Sequence, residues 1–300
     1  MSRSSRDLIH VGFAHSGTKS LQQNFFGRRH DMFYCGIPYG ERGGIFSDIK
    51  YKSSDDFDMR LIEEMYHRYV SQKNVDRKIL IISDETLTEQ PEIYYTPQML
   101  PIHTIAERLK HLCPNAKILF TVRNQISYVI SSYLNIKRNY ALLSRRPLED
   151  FDLWFEGNRS QVSNLFLRNL NYETAIRTYI KVFGRESVFV LPLEHLIRDG
   201  AESYMNTLGK YMDILITEED LQNSETVRNR RMTVAEAAML ELSVRVRVSE
   251  SDLKYAVGKG TPVEIVLSHT QIEQIMAKSS AGNLFISQEF GIPLASYGYP

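Results

Sequence analysis

Short apolar runs alternate along the chain with stretches whose apolar residues recur every three or four positions. This alternation predicts a parallel β-sheet covered by helices, an α/β fold. Residues 8–13 read as the first strand, and residues 18–26 as the helix after it. Residues 32–37 suit a second strand that ends at Pro38. Beyond Ser53, Phe57, Leu61, Met65 and Tyr69 recur every four residues, which predicts one apolar face of a helix. Residues 78–83 are apolar almost throughout, as strands buried on both faces are. Pro101 suits the first position of a helix whose apolar face is Ile102, Ile105, Ala106, Leu109 and Leu112. Pro114 and Asn115 break the chain before a strand over 117–122, and a long helix is predicted over 126–138. Residues 188–191 give a further strand, closed by Pro192, and helical patterns dominate the rest. Residues 243–248 alternate like a strand inside helical surroundings, so their assignment stays open. Residues 142–157, with the only tryptophan, Trp154, read as a lid, as an acceptor-binding insertion, or as an ordinary helix and loop.

Composition narrows the class. Three hundred residues, 43% of them apolar and 24% charged, suit one globular domain over 1–300. Its core is expected over 8–213, with a mostly helical C-terminal part over 214–300. The formal net charge is zero, so no global field draws in nucleic acid or anionic lipid, and any anion site must be local. Two cysteines, Cys35 and Cys113, are too few for a disulfide framework and read as reduced thiols. No run of 18 apolar residues predicts a membrane span. The polar residues 1–7 lead into a brief apolar stretch without a cleavage site, unlike a signal peptide, so a cytoplasmic protein is expected. The sequence leaves the oligomeric state open.

The candidate chemistry begins at GFAHSGTKS, residues 12–20, between the first strand and its helix. Free N–H groups at a helix start point toward an anion, and the helix dipole favours negative charge there. Gly17 lets the backbone approach, Thr18 and Ser20 offer hydroxyls, and Lys19 adds charge. The nucleoside triphosphatase loop places its lysine directly after the second glycine. Here Thr18 intrudes, which turns the lysine by about 100° around the helix. A tight strand-to-helix turn with capping hydroxyls is the structural alternative. Further on, Arg123 ends a strand and Ser131 lies eight residues later, with Ser127 four before it on one helical face. An arginine fork and a hydroxyl suit a phosphate dianion, although a routine ion pair at a strand end gives the same pattern.

The stretch HVGFAHSGTKSLQ at 10–22 resembles the donor-binding loop of the sulfotransferase family, and FTVRNQISYVISSY at 120–133 resembles that family's 3'-phosphate motif. VFVLPLEHL at 188–196 is similar to a later strand of the family, and residues 283–286 to the terminal helix of its bacterial members. The resemblance implies a P-loop-like parallel sheet flanked by helices. It also implies transfer of a sulfo group from 3'-phosphoadenosine 5'-phosphosulfate (PAPS) to a hydroxyl of a small-molecule or carbohydrate acceptor, in line and without a metal. Carried over, Ser16, Gly17, Thr18, Lys19 and Ser20 fall on the 5'-phosphosulfate loop, and Arg123 and Ser131 on the 3'-phosphate site. The sequence departs at one point: His15 stands where the family has a lysine, and Lys19 stands where it has a threonine or serine. Either Lys19 supplies the loop cation, or protonated His15 does, or the chain is a degenerate donor-binding scaffold. A P-loop nucleotide kinase is the rival enzyme.

Transfer to a hydroxyl needs a base, and the strand ending at Ser83 presents Asp84 and Glu85. Glu85 is favoured as that base, by resemblance to bacterial members; capping of the next turn is the alternative role for either carboxylate. Arg228 and Arg230, in a basic cluster with Arg231, resemble a late loop that closes over the donor's 3'-phosphate; a solvated loop is the plainer reading. His30, His67, His103, His111, His195 and His269 show no metal-ligand spacing.

Overall fold

A computed structural model describes residues 7–36, 45–72, 78–88, 100–141, 149–160, 170–225, 232–245 and 260–300. Among the described residues five parallel strands form one sheet: β1 Leu8–His10, β2 Met32–Gly36, β3 Ile79–Ser83, β4 Lys117–Val122 and β5 Val188–Pro192, in the order β2-β3-β1-β4-β5. Leu8 pairs with Ile81 on one side and Lys117 on the other. The first strand is shorter than its apolar run, yet the chain keeps to β4 beyond it. Val11 N–H donates to Leu119 O (2.7 Å) and Phe13 N–H to Thr121 O (3.1 Å) before the chain turns away. Pro192 ends the edge strand, where a missing N–H costs no ladder bond.

Successive strand residues face opposite sides, and both sides are covered. Ile9, Leu80, Ile82, Ile118 and Phe120 pack into one apolar cluster, while Leu8, Ile79, Ile81 and Leu119 pack into another on the opposite face. Double burial is why the strands read as unbroken apolar runs.

The helices are α1 Thr18–Leu21, α2 Ile45–Tyr51, α3 Met59–Gln72, α4 Ile102–Leu112, α5 Gln125–Asn139, α6 Phe151–Ser160, α7 Tyr172–Phe183, α8 Leu193–Met212, α9 Glu218–Glu225, α10 Val234–Arg245 and α11 His269–Phe290. Several differ from expectation in instructive ways. The helix expected over 18–26 continues past Leu21 with a wider π geometry over Gln22–Phe26. That turn buries Gln22, Asn24, Phe25 and Phe26 together. Pro101 occupies the cap position before α4 rather than its first turn. In α3 the every-four series is not the buried face: Leu61 and Met65 are exposed, whereas Ile62 and Tyr66 are buried. An i+4 repeat drifts around a 3.6-residue turn, and the neighbouring pair meets the core. Trp154 lies buried in α6 against Tyr133 and Phe151, with ring centroids 5.3 and 5.9 Å away. This part of the 142–157 block is therefore core; residues 142–148 lie outside the described residues. Residues 243–245 complete α10, and 246–248 also lie outside the described residues. Among the described residues no helix is long and apolar enough to cross a membrane.

The strand order places β1 centrally. The chain runs from β1 to the β2 edge, returns through β3, and then crosses to β4 and β5. In such sheets the carboxyl ends of the strands flanking the reversal open a crevice where ligands bind. The segments that follow β1 and β4 enter it, and both carry the candidate residues.

Candidate active site

The segment after β1 turns sharply. His15 has φ 63° and Gly17 φ 89°, both left-handed. Such a conformation is ordinary for glycine and unusual for histidine, and alternating left-handed residues orient successive N–H groups toward an anion. Ser16 is buried, its N–H bonded to Phe13 O at 3.3 Å. Ser20 N–H donates to Gly17 O at 3.0 Å and starts the helix. Thr18 Oγ1 is buried and has no hydrogen-bond partner among the described residues. An orphaned hydroxyl at a helix start is a group that a bound oxyanion would satisfy. Lys19 is exposed, Ser20 half-buried.

Arg123 follows β4 directly. Its guanidinium donates to His15 O at 3.1 Å and so ties the two loops together. His15 lies near Tyr128, with ring centroids 6.0 Å apart. Burial, then the charges of Arg123 and Lys19, push the His15 pKa down to about 4. The imidazole is therefore neutral at physiological pH. Ser127 and Ser131 are half-buried along α5.

The two carboxylates after β3 have different surroundings. Asp84 is buried, accepts from Lys50 Nζ at 2.8 Å, and caps the short turn Glu85–Leu87 through Thr86 N–H at 2.9 Å. Glu85 is half-buried beside it. Burial foremost, and the Asp84 charge next, raise the Glu85 pKa, while Lys19 pulls it back. The Lys19 ammonium thus acts on both Glu85 and His15, so the loop and the β3 end share one electrostatic site.

A set of residues given no role by the sequence holds the Arg123 segment. Tyr172 OH donates to Arg123 O at 2.5 Å, and Glu194, in the first turn of α8, accepts Asn124 N–H at 3.0 Å. Tyr299 OH donates to the other Glu194 oxygen at 2.6 Å, and the Asn124 amide donates to Gly298 O. Asn124 Oδ1 caps α5 through Ile126 and Ser127 N–H, at 3.0 and 3.2 Å. Burial raises the Glu194 pKa despite these donors and Arg123. Only the resemblance of 188–196 flagged this carboxylate; nothing local in the sequence links Tyr172 or Tyr299 to Arg123.

The residues around these two loops are cations, hydroxyls and N–H groups, with two carboxylates of raised pKa, Glu85 beside Lys19 and Glu194 behind Arg123. This donor set suits an anionic group such as a phosphate or sulfate. Arg228 and Arg230 lie outside the described residues. Among the described residues no group of three or more His, Cys, Asp or Glu side chains is placed to hold a metal ion.

No protein-family model and no curated protein matches the sequence. Solved structures do. A sulfotransferase from Alicyclobacillus acidocaldarius superposes with a TM-score of 0.58 at 16% identity, covering 97% of this chain and 98% of that one. The sulfotransferase domain from the curacin biosynthetic pathway gives 0.49 at 16% identity over 92% and 98%. A mouse sulfotransferase complexed with PAP gives 0.44 at 13% identity over 96% and 90%. The chain has the sulfotransferase fold, a parallel sheet flanked by helices, as the resemblance of its two loops implied.

Proposed function

With the sulfotransferase fold as premise, we propose that this protein is a PAPS-dependent sulfotransferase acting on a hydroxyl of a carbohydrate or similar small molecule. The observation that carries the reading is the joined pair of loops: the left-handed turn with its orphaned Thr18 hydroxyl, bonded through His15 O to Arg123. The carbohydrate class rests on the resemblance alone.

In this reading the backbone over 15–18, with the Thr18 and Ser20 hydroxyls, holds the 5'-phosphosulfate. Arg123 and Ser131 hold the 3'-phosphate, with Arg228 or Arg230 closing over it. Bound PAPS supplies an activated sulfo group whose leaving phosphate gains negative charge as transfer proceeds. Lys19 is the standing cation for that charge, because His15 is neutral near pH 7. Glu85 takes the acceptor proton; its raised pKa makes it a stronger base than an ordinary surface carboxylate. Asp84 is committed to Lys50 and to the turn it caps.

The test is transfer of radiolabelled sulfur from PAPS to a panel of mono- and oligosaccharides and simple alcohols. Labelled sulfate esters are expected from wild type and not from Glu85→Gln. Donor binding without transfer to any hydroxyl would mark a binding scaffold. Absence of donor binding would overturn the reading altogether.

A further inference from the structure

His10 is fully buried at the carboxyl end of the central strand, and none of the roles above uses it. It shares a sheet face with Ser83 and Thr121, each at or near the end of a flanking strand, beneath the helix that follows the phosphate loop. His10 Nδ1 lies 2.8 Å from Ser83 Oγ, and His10 Nε2 lies 3.1 Å from Thr121 Oγ1. Thr121 Oγ1 is 2.8 Å from Ser16 Oγ, and the Ser16 hydroxyl donates to Phe13 O. On the far side Gln22 Nε2 donates to Ser83 Oγ at 3.0 Å and to Ser83 O at 3.3 Å.

Hydrogen counting fixes the direction of every bond. A carbonyl oxygen only accepts, so the single Ser16 hydroxyl hydrogen goes to Phe13 O. Ser16 Oγ then accepts from the Thr121 hydroxyl, and Thr121 Oγ1 accepts from His10 Nε2–H. Ser83 Oγ accepts from Gln22, and the only acceptor the geometry of the described residues offers its hydrogen is Nδ1, which is free to accept in a neutral ring. The two bonds of the Gln22 amide nitrogen, one to a carbonyl, set the orientation of that amide. Each hydroxyl donates once and accepts once, and the imidazole does both.

We propose that His10 is a positioning residue: a neutral Nε2–H imidazole at the centre of a one-way hydrogen-bond chain from Gln22 to Phe13 that fixes Ser16 and the phosphate loop. That the loop holds a donor's phosphosulfate rests on the function proposed above; the chain and its direction do not. Burial lowers the His10 pKa to about 3, in keeping with a neutral ring. Gly12 is part of the same arrangement. A Cβ there would stand 2.5 Å from Thr18 Oγ1, 2.6 Å from Thr121 Oγ1 and 3.1 Å from His10 Nε2. A neutral tautomer with its full set of partners suits a rigid support, since a half-satisfied buried network would leave the loop free to shift.

Two measurements test this. Long-range proton–nitrogen NMR on protein with 15N-labelled histidine at neutral pH reads the tautomer, with His10 assigned through its contact with the Phe26 ring. An Nε2–H ring is expected; an Nδ1–H ring or an imidazolium would overturn the proposal. Thr121→Val keeps the side-chain shape and breaks the chain, whereas Thr121→Ser keeps the hydroxyl. Amide exchange over residues 17–20 should quicken in Thr121→Val and stay slow in Thr121→Ser. Affinity for adenosine 3',5'-bisphosphate should fall roughly three- to tenfold in the valine variant alone, the worth of about one hydrogen bond. Equal loop exchange in the two variants would end the positioning role. If wild type binds no bisphosphate, the proposed function fails, while the tautomer and the exchange rates still decide this inference.

Discussion

In the proposed mechanism Lys19 rather than His15 supplies the loop cation, and the environments of the two residues say why. Lys19 is exposed, whereas His15 is held neutral by burial and two nearby cations. Lys19→Ala should lower kcat by about 10²- to 10³-fold, the typical loss for one preorganised transition-state partner, and do so across the pH range. His15→Ala should leave most activity near pH 7, and a pH–rate profile of both variants checks the division. His15 also marks stability. Folding lowers its pKa from 6.5 to about 4, so the unfolded chain binds more protons between those values. Its contribution is full above pH 6.5 and is lost as pH falls toward 4. His15→Gln should therefore show a shallower fall of melting temperature on acidification. Glu85 has the opposite sign. Its raised pKa means that stability drops as pH rises through the folded value, so Glu85→Gln should melt higher than wild type at neutral pH while losing transfer. At this scale the loop residues were legible because they are contiguous. The split between Asp84 and Glu85 needed Lys50, which is 34 residues from Asp84 and carries no signal of that pairing in its local sequence.

At the scale of elements, the strands were easiest to read, because burial on both faces leaves apolar runs such as residues 79–82. Helix faces were harder. The series Leu61, Met65 faces outward because the core lies against the neighbouring pair Ile62, Tyr66, and sequence periodicity alone does not choose between adjacent stripes. The π turn at Gln22–Phe26 has no period of its own to betray it. The support of Arg123 joins the β4–α5 junction to α8 and to residues 298–299, a meeting visible only in the folded chain. Tyr299→Phe removes one donor from the half-buried Glu194 carboxylate. It should destabilise by about 1 kcal/mol, the usual worth of one hydrogen bond, as read by urea denaturation. It should also weaken nucleotide binding, because Asn124 and its neighbour Arg123 lose a fixed backbone. Unchanged affinity together with lowered stability would separate that strap from the site.

For the molecule as a whole, alternating strand and helix patterns foretold a parallel sheet flanked by helices, but not the order β2-β3-β1-β4-β5. Strand order follows from which faces bury one another, and that information is spread over residues far apart in sequence. Yet the order brings the two recognised loops together at one crevice, and there the central claim can be measured. That claim, a proposal, is that the crevice binds the donor PAPS and therefore also adenosine 3',5'-bisphosphate, the product left after sulfo transfer. Arg123→Ala should weaken such binding by about 1.5–3 kcal/mol, the worth of a charge-assisted hydrogen bond, with a smaller loss for Ser131→Ala. The direct measurement is titration calorimetry of wild-type protein and Arg123→Ala with adenosine 3',5'-bisphosphate, set against ATP with magnesium. The account predicts binding of the bisphosphate by wild type, clear weakening in Arg123→Ala, and little or no heat with ATP. Binding of ATP with magnesium in place of the bisphosphate, or equal bisphosphate affinity in both proteins, would contradict it.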